Sequence, residues 1–584
     1  MLRRGALGVL AVALLAGLGA QPALAGVADV ETPTVFGPQP TGPGNTPFLA
    51  TDLDLASSGY VEEEFEYTGN AFVYDRSGSN EQTATKITTG GDLNDGRFPY
   101  RTRMIVRRPV NPADSNGTVV VEWMNVTAGF DVEWNWFGDP QYLIDNGYTW
   151  VGISAQNTGV NFLKGFNAAR YGDLFIANPG ANPQNDADPL SFEIYSAGIK
   201  ALLGAANGSD PLNGLRPQTV IASGESQSGS RLSTYYNKIQ PLHELVDAFL
   251  ITVSTGALRD DRPEKAIRVI SETETRTQRT EPDDGSYRQW EVAGASHLPR
   301  MAFDNAQAPL TRDVTTLDVD CERFPLSKVQ WPFVVNSAMD KLVSWSNGGA
   351  APPIAPRGNY TDPATLERDE FGIARGGIRL PEVSVPVAVN TGINTPRPGA
   401  SGLSAFCVLL GSYEIFPETT LTTLYSDYGD YVDKTAPAVQ GVADQGFILQ
   451  GDVARLQQVY EEFPSLRPTA PDPNKKKTSS GKLKLTWRGT EAPASTFTLQ
   501  HSKKKGKKWT AVKGAKALDE PKFKFANKGE KNGKWVYRVR SQTVVPANVE
   551  APETTITTPW SAASRKVKVD RKNNGKKPKP KRSG

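Results

Sequence analysis

Short, continuous apolar runs alternate with stretches of helical spacing through the middle of this chain. GTVVVEWMNV (117–126), GYTWVGISA (147–155), QTVIASGE (218–225), VDAFLITVS (246–254), KAIRVIS (265–271) and RQWEVAG (288–294) read as strands buried on both faces. Between them, SFEIYSAGIKALLGA (191–205) and SGSRLSTYYNKI (228–239) carry helical apolar spacing, and the stretch up to Asn146 is helix-capable. Strands alternating with helices predict parallel β-α-β units, hence an α/β fold with a doubly wound, mostly parallel sheet. Ahead of this block, FEYTGNAFVY and FPYRTRMIVRRPV have the aromatic and β-branched bias of further strands.

Past residue 298 the pattern loosens. WPFVVNSAMDKLVSWSNGG and DVARLQQVYEEF (452–463) predict helices, separated by Pro- and Gly-rich segments such as APPIAPRGNY and NTGINTPRPGASG. SLRPTAPDPNKKKTSSGK (465–482) has linker composition. Beyond it KLKLTWRG, STFTLQHSK, KWTAVK, KFKFAN, KWVYRVRSQ and SRKVKV are short strands at regular spacing, the pattern of a small all-β sandwich. The expected organisation is an α/β domain over 26–464, with 298–464 its elaborated C-terminal part. A linker over 465–481, a β-sandwich over 482–570 and a disordered basic tail over 571–584 follow.

Charge divides the chain at the same place. The formal net charge of +2 over 584 residues conceals 30 Lys plus Arg against 7 Asp plus Glu from Lys475 onward, which leaves the remainder strongly acidic. Such a split predicts two units with different jobs. At the other end, Arg3 and Arg4 precede an apolar run that closes with Ala23-Leu24-Ala25, the pattern of an export signal cleaved after Ala25. That run is short for a membrane span, and no later segment is apolar enough to cross a bilayer. The expectation is a secreted or cell-surface-associated protein, a setting in which Cys321 and Cys407 are candidates for a disulfide. With three histidines and no C-x-x-C, no metal site is expected.

The candidate chemistry starts at IASGESQSGSRLS (221–233), where an apolar strand runs into small residues and then a helix. A nucleophile on such a tight turn needs small residues two before and two after it. Ser226 meets this with Gly224 and Ser228, whereas a frame centred on Ser228 has no flanking glycine. Ser226 is the favoured nucleophile and Ser228 the alternative. A serine needs an imidazole base. His243 falls in a helix–strand connection and reads as a surface or capping residue; His501 lies in the basic C-terminal unit. His297, in the loop after RQWEVAG, is the candidate base. The acid should come from SETETR: Glu274 is favoured, Glu272 stays open, and Asp283 and Asp284 are weaker choices. The backbone N–H of Gln227, with that of Val126 or Thr127, would form an oxyanion hole. Trp134, Trp136 and Phe137 follow that loop as pocket or core residues.

GTVVVEWMNVTAG, GYTWVGISAQ, GESQSGSRL, SETET and WEVAGASH, taken in order, resemble a family of bacterial α/β-hydrolase-domain proteins. WPFVVNSAMDKLVSWSNGGAAPPIAPR, GGIRLPEVSVPVAV and FCVLLGSYEIF extend the resemblance over about residues 30–465. It implies a serine hydrolase with Ser226, Glu274 and His297 as its triad. Glutamate at 274 departs from the aspartate expected in many relatives. KLKLTWRG with Trp487, KWVYRVRSQ with Tyr537, and TPWSAASRKVKV resemble a fibronectin type III domain. The expected function is hydrolysis of carboxylic esters through an acyl-enzyme, without a cofactor. The partners expected are an ester substrate and, for the basic unit, an anionic cell-surface polymer. No nucleic-acid-reading motif is present, so no nucleic acid partner is expected. Two other readings stand beside it: a surface-binding protein on a non-catalytic hydrolase fold, with the basic unit carrying the function, and an acyltransferase using the same triad.

Overall fold

The computed structural model describes residues 30–276, 283–315, 319–362, 365–463, 465–490, 492, 494–503, 506–525, 529–545 and 553–571. The export signal expected at 1–25, and the basic tail apart from Arg571, lie outside the described residues. The main sheet is built from β1 (Thr34–Phe36), β2 (Tyr60–Ala71), β3 (Phe98–Pro109), β4 (Thr118–Trp123), β5 (Thr149–Ile153), β6 (Phe175–Ile176), β7 (Asn207–Gly208), β8 (Thr219–Glu225), β9 (Ala248–Thr252), β10 (Lys265–Ile270) and β11 (Tyr287–Glu291). Their spatial order is β11-β10-β9-β8-β4-β5-β3-β2-β1-β7, with β6 against β3.

The stretch from β11 to β5 pairs in parallel throughout. The two long N-terminal strands instead pair with each other antiparallel along their whole length, and β3 meets β5 antiparallel. Period-two alternation sorts the parallel strands between two cores. Val120, Trp150, Ile221, Leu250 and Ile267 face one cluster. Val119, Val121, Val151, Ala222, Ile251 and Ala266 face the other. Helix Ser191–Leu202 contributes to the second core and helix Pro332–Ser346 to the first, so both faces of the sheet are covered.

Elements differ from their sequence signals where local chemistry intervenes. The helix-capable stretch to Asn146 becomes two short helices, Trp134–Gly138 and Pro140–Asp145. Pro140 restricts Asp139 and has no N–H to continue the first helix, and the Asp139 carboxylate accepts the Tyr142 N–H at 3.3 Å to start the second. Past residue 298, helices Arg300–Asp313, Tyr428–Asp444 and Val453–Glu461 add to helix Pro332–Ser346. A disulfide joins Cys321 to Cys407 within a small apolar cluster. Among the described residues, no helix is long and apolar enough to cross a membrane.

The C-terminal strands form two sheets. One contains Asp472–Pro473, Lys484–Thr486 and Lys522–Lys524; the other is built on Ser495–Ser502, Gly533–Val545 and Val567–Val569. Leu485 from the first packs with Leu499, Tyr537 and Val569 from the second around Trp487. The stretch of linker composition is partly built into these sheets: Asp472–Pro473 pairs with Leu485 and Thr486, and Lys477–Thr478 with Lys568 and Val569. Both are edge strands, where a proline's missing N–H and solvated lysines are tolerated, so linker and edge strand share one composition.

His243, read from sequence as a surface or capping residue, is fully buried. Its Nε2 lies 2.9 Å from the Tyr74 hydroxyl and its Nδ1 2.7 Å from Ser196 Oγ. Burial pushes its imidazole down from the ordinary 6.5 to about 3, the nearby Lys86 adding to the effect. The folded protein therefore keeps it neutral where the unfolded chain takes up a proton. The stability it contributes is complete above pH 6.5 and drains away as pH falls toward 3. Wild-type melting temperature should accordingly fall more steeply than that of His243→Gln as the medium is acidified below 6.5. Parallel slopes for the two proteins would rule His243 out as the source.

Candidate active site

The end of β8 turns directly into helix Gln227–Thr234, and Ser226 sits at the junction with φ 59° and ψ −114°. That backbone state is costly for a residue with a side chain. Three contacts hold it. The Ser226 N–H donates to the Thr252 carbonyl at 3.0 Å on β9. Ser228 Oγ accepts the Glu225 N–H at 3.0 Å and donates to the Glu225 carbonyl at 2.9 Å. At Gly224, a Cβ would come to 3.0 Å from the Ser228 backbone, so any side chain there would push strand and helix apart by a few tenths of an ångström. The two serines thus have different places: Ser226 is half-buried at the tip, while Ser228 is buried and spends its hydroxyl tying the turn together.

The loops after β10 and β11 supply the other polar groups. His297 Nδ1 lies 2.5 Å from Glu274 Oε1. The second oxygen of Glu274 accepts from the Ser271 N–H at 3.0 Å and the Ser271 hydroxyl at 2.6 Å, which fixes the carboxylate's orientation. With Nδ1 engaged, Nε2 is the imidazole nitrogen left for the cavity. Glu272, the alternative acid, is not brought to His297: it is buried in an ion pair with Arg368. Glu272 lies in a turn that leads into the short 3-10 helix Glu274–Arg276, and this bend sends the two carboxylates to different partners. Asp283 and Asp284 lie at the start of β11, where they accept the Gln289, Ser286 and Tyr287 N–H groups. The segment around Gly392 packs on both loops; a Cβ there would lie 2.5 Å from the Ala295 carbonyl and 2.8 Å from Glu272 Cβ.

The loop after β4 is pinned to the elbow by Asn125, a residue that the sequence pattern did not single out. Its side-chain amide donates to the Glu225 carbonyl at 2.8 Å, and its Oδ1 accepts the Thr127 N–H at 2.8 Å. Thr127's N–H is therefore taken, and among the described residues the N–H groups of Val126 and Gln227 have no protein acceptor. Gln227 is the first residue of its helix, where the N–H has no intrahelical partner. Its side chain donates to Gln156 Oε1 at 3.0 Å. An Asn two residues before a loop N–H, in MNVT, was the available signal for an Asx turn.

Further along, the same loop is held from below by charges. Glu133 pairs with Arg107 at 2.7 Å, and Asp131 accepts from Ser154 Oγ at 2.6 Å beside Arg103. Glu122 receives the Asn135 and Trp136 N–H groups at 3.0 and 3.1 Å and the Trp150 indole N–H at 2.9 Å. Burial pushes its carboxyl up to about 8 despite these donors. Trp136 packs in the core against Trp150, with Arg107 over both indoles, and Phe137 is buried with it; only Trp134 of the three aromatics reaches the site.

Ser226 and His297 line one cavity with Thr127, and apolar side chains, among them Phe130, Trp134, Phe303 and Leu410, form most of its wall. Cys407 lies between Phe406 and Leu409, which both line it, so the disulfide braces that wall. Among the described residues, no group of three or more His, Cys, Asp or Glu is placed to hold a metal ion.

A family model described as alpha/beta hydrolase domain matches residues 35–458. No curated protein matches the chain. Among solved structures, it is similar to brefeldin A esterase, a bacterial homologue of human hormone sensitive lipase, at 12% identity over 35% of this chain and 44% of that one, with a TM-score of 0.19. It is similar to XC6422 from Xanthomonas campestris, an α/β serine hydrolase without a lid, at 10% identity over 39% and 92% of the two chains, with a TM-score of 0.23. For esterase Est22 the identity is 12% over 50% and 82%, with a TM-score of 0.25. The chain spans 34% of a prolyl endopeptidase that it also matches, and less than half of brefeldin A esterase.

Removing the Asn125 side chain takes the acceptor from the Thr127 N–H and leaves the Glu225 carbonyl with Ser228 Oγ as its remaining donor. Asn125→Ala should cost about 2 kcal/mol of unfolding free energy in urea titrations. A cost under about 0.5 kcal/mol would show that the loop does not depend on this residue.

Proposed function

The chain belongs to the alpha/beta hydrolase domain family, and from that premise we propose that it is a serine hydrolase of carboxylic esters. One observation carries the reading: Ser226 on its strained turn and His297, backed by Glu274, border the same apolar cavity. Ser226 Oγ attacks the ester carbonyl while His297 takes its proton. Glu274 keeps the imidazole in the tautomer with Nδ1 protonated and offsets the imidazolium charge. The oxyanion is met by the N–H groups of Gln227 and Val126, for which both are free. His297 then protonates the departing alcohol, and water releases the acyl group by the same steps in reverse roles. The apolar wall favours esters with hydrocarbon arms.

The rest of the proposal concerns location. The export pattern at 1–25 and the basic C-terminal unit support a protein that leaves the cell and adheres to an anionic surface polymer. The two C-terminal sheets around Trp487 support reading that unit as a fibronectin type III-like sandwich.

Wild-type protein should label with a fluorophosphonate probe and hydrolyse p-nitrophenyl acetate, and Ser226→Ala should do neither. Glu274→Gln should lower kcat by about 10²–10⁴-fold, whereas Glu272→Gln should still label at Ser226. Unlabelled wild type, or a Ser226→Ala variant that keeps turnover, would defeat the esterase reading. For the basic unit, full-length protein should bind dextran sulfate beads and elute as salt is raised, and protein ending at 464 should not bind. Retention that ignores salt would remove the adhesion claim.

A further inference from the structure

A second cavity adjoins the first. It lies between the sheet, at Val120, Trp150 and Leu250, and the helices Trp134–Gly138 and Pro332–Ser346. Trp134 and Glu225, the residue before Ser226, belong to the walls of both cavities, so the two lie on either side of these side chains. Its free space is about 40 Å³, more than the roughly 10–15 Å³ that a single water requires.

The wall is apolar except for a few groups, and two of these lack partners. Trp331 is 2% exposed, and its indole N–H has no acceptor; the side-chain N–H₂ of Asn135 is buried and equally unpartnered. Asn135 Oδ1 is oriented by the Thr252 hydroxyl at 3.2 Å, which presents the amide nitrogen on the other side. Glu225 is 3% exposed, and burial first, then the carboxylates of Glu122 and Glu274, push it well above the usual carboxylate range. Buried donors without acceptors are expensive, and a convergent set in an apolar cavity is how a site selects an oxygen on an otherwise apolar ligand.

Which part of an ester this site would take follows from His297. The leaving alcohol must lie where His297 can protonate it, and His297 borders only the first cavity. The acyl chain extends from the carbon bonded to Ser226 and is free to run the other way, past Trp134 and Glu225. We propose that the second cavity binds the acyl arm of the substrate and selects short acyl chains bearing a keto or hydroxyl oxygen, through the N–H groups of Trp331 and Asn135. This rests on the esterase reading of Ser226.

A matched pair of substrates with one leaving group tests it: p-nitrophenyl 5-oxohexanoate and p-nitrophenyl hexanoate. Wild type should favour the oxo ester by about tenfold or more in kcat/KM, since unpaired site donors penalise the plain chain. Trp331→Phe, which deletes the N–H and keeps an aromatic ring, should reduce that ratio to near one. Val335→Phe, which fills the cavity, should lower the ratio of hexanoate to acetate turnover. Calorimetry on Ser226→Ala protein, with methyl 5-oxohexanoate against methyl hexanoate, should show the same preference without turnover. Equal binding of the two methyl esters, or a wild-type preference that Trp331→Phe leaves intact, would overturn the proposal. Absence of fluorophosphonate labelling would instead defeat the esterase reading, and the calorimetric comparison still decides the cavity.

Discussion

The parallel pairing of β4, β8, β10 and β11 with their neighbours is the constraint on which the rest of this molecule depends. Parallel strands all end at the same edge of the sheet, and each must return by a covering crossover. The loop with Asn125, the Ser226 turn, the Glu274 loop and the His297 loop therefore emerge side by side, although they span over 170 residues of sequence. No contact between the loops had to arise alone to gather them. Backbone hydrogen bonding across the sheet does so, and the two apolar cores keep that sheet intact.

What parallel pairing leaves unsettled is the shape of the loop after β4. It lacks regular structure for ten residues between Trp123 and Trp134, yet it lines the cavity beside Ser226 and leads into the helix that borders the second cavity. Its positioning relies on buried polar groups: Asn125 on the elbow carbonyl, Asp131 and Glu133 on arginines of β3, and Glu122 on the start of the next helix. Buried ion pairs contribute little net stability against desolvation, but a buried charge left without its partner is severely unfavourable. Such a set penalises every loop conformation that separates the partners, so its effect is to select one.

Residues past 298 complete the site from the other side. The close approach at Gly392 braces the Glu274 and His297 loops together, and the disulfide region supplies the apolar wall facing Ser226. This elaborated part is thus joined to the site through packing, where a free-standing appendage would leave the first cavity open.

Much of this was legible in one dimension because it obeys short-range rules. Continuous apolar runs marked the strands, and their alternation with helical spacing gave the parallel order. The small residues around Ser226 marked a tight turn, and the scarcity of histidine left His297 as the residue suitably placed after a strand. The antiparallel union of β2 with β3 was not legible in this way, since alternation does not reveal a partner. Nor was the burial of His243, whose polar neighbours Tyr74 and Ser196 are distant in sequence. The same limit applied to the linker-like segment that enters the C-terminal sheets.

By itself the sequence determined which elements form and which residue types stand at their ends, because backbone preference and apolar period act over a few residues. Only the tertiary structure brought Glu274 to His297 and Glu272 to Arg368, had Ser228 brace the turn, gave Thr127's N–H to Asn125, and set Trp134 and Glu225 between two cavities. Each of these depends on where a side chain meets a group from another loop, and that is settled by packing in three dimensions.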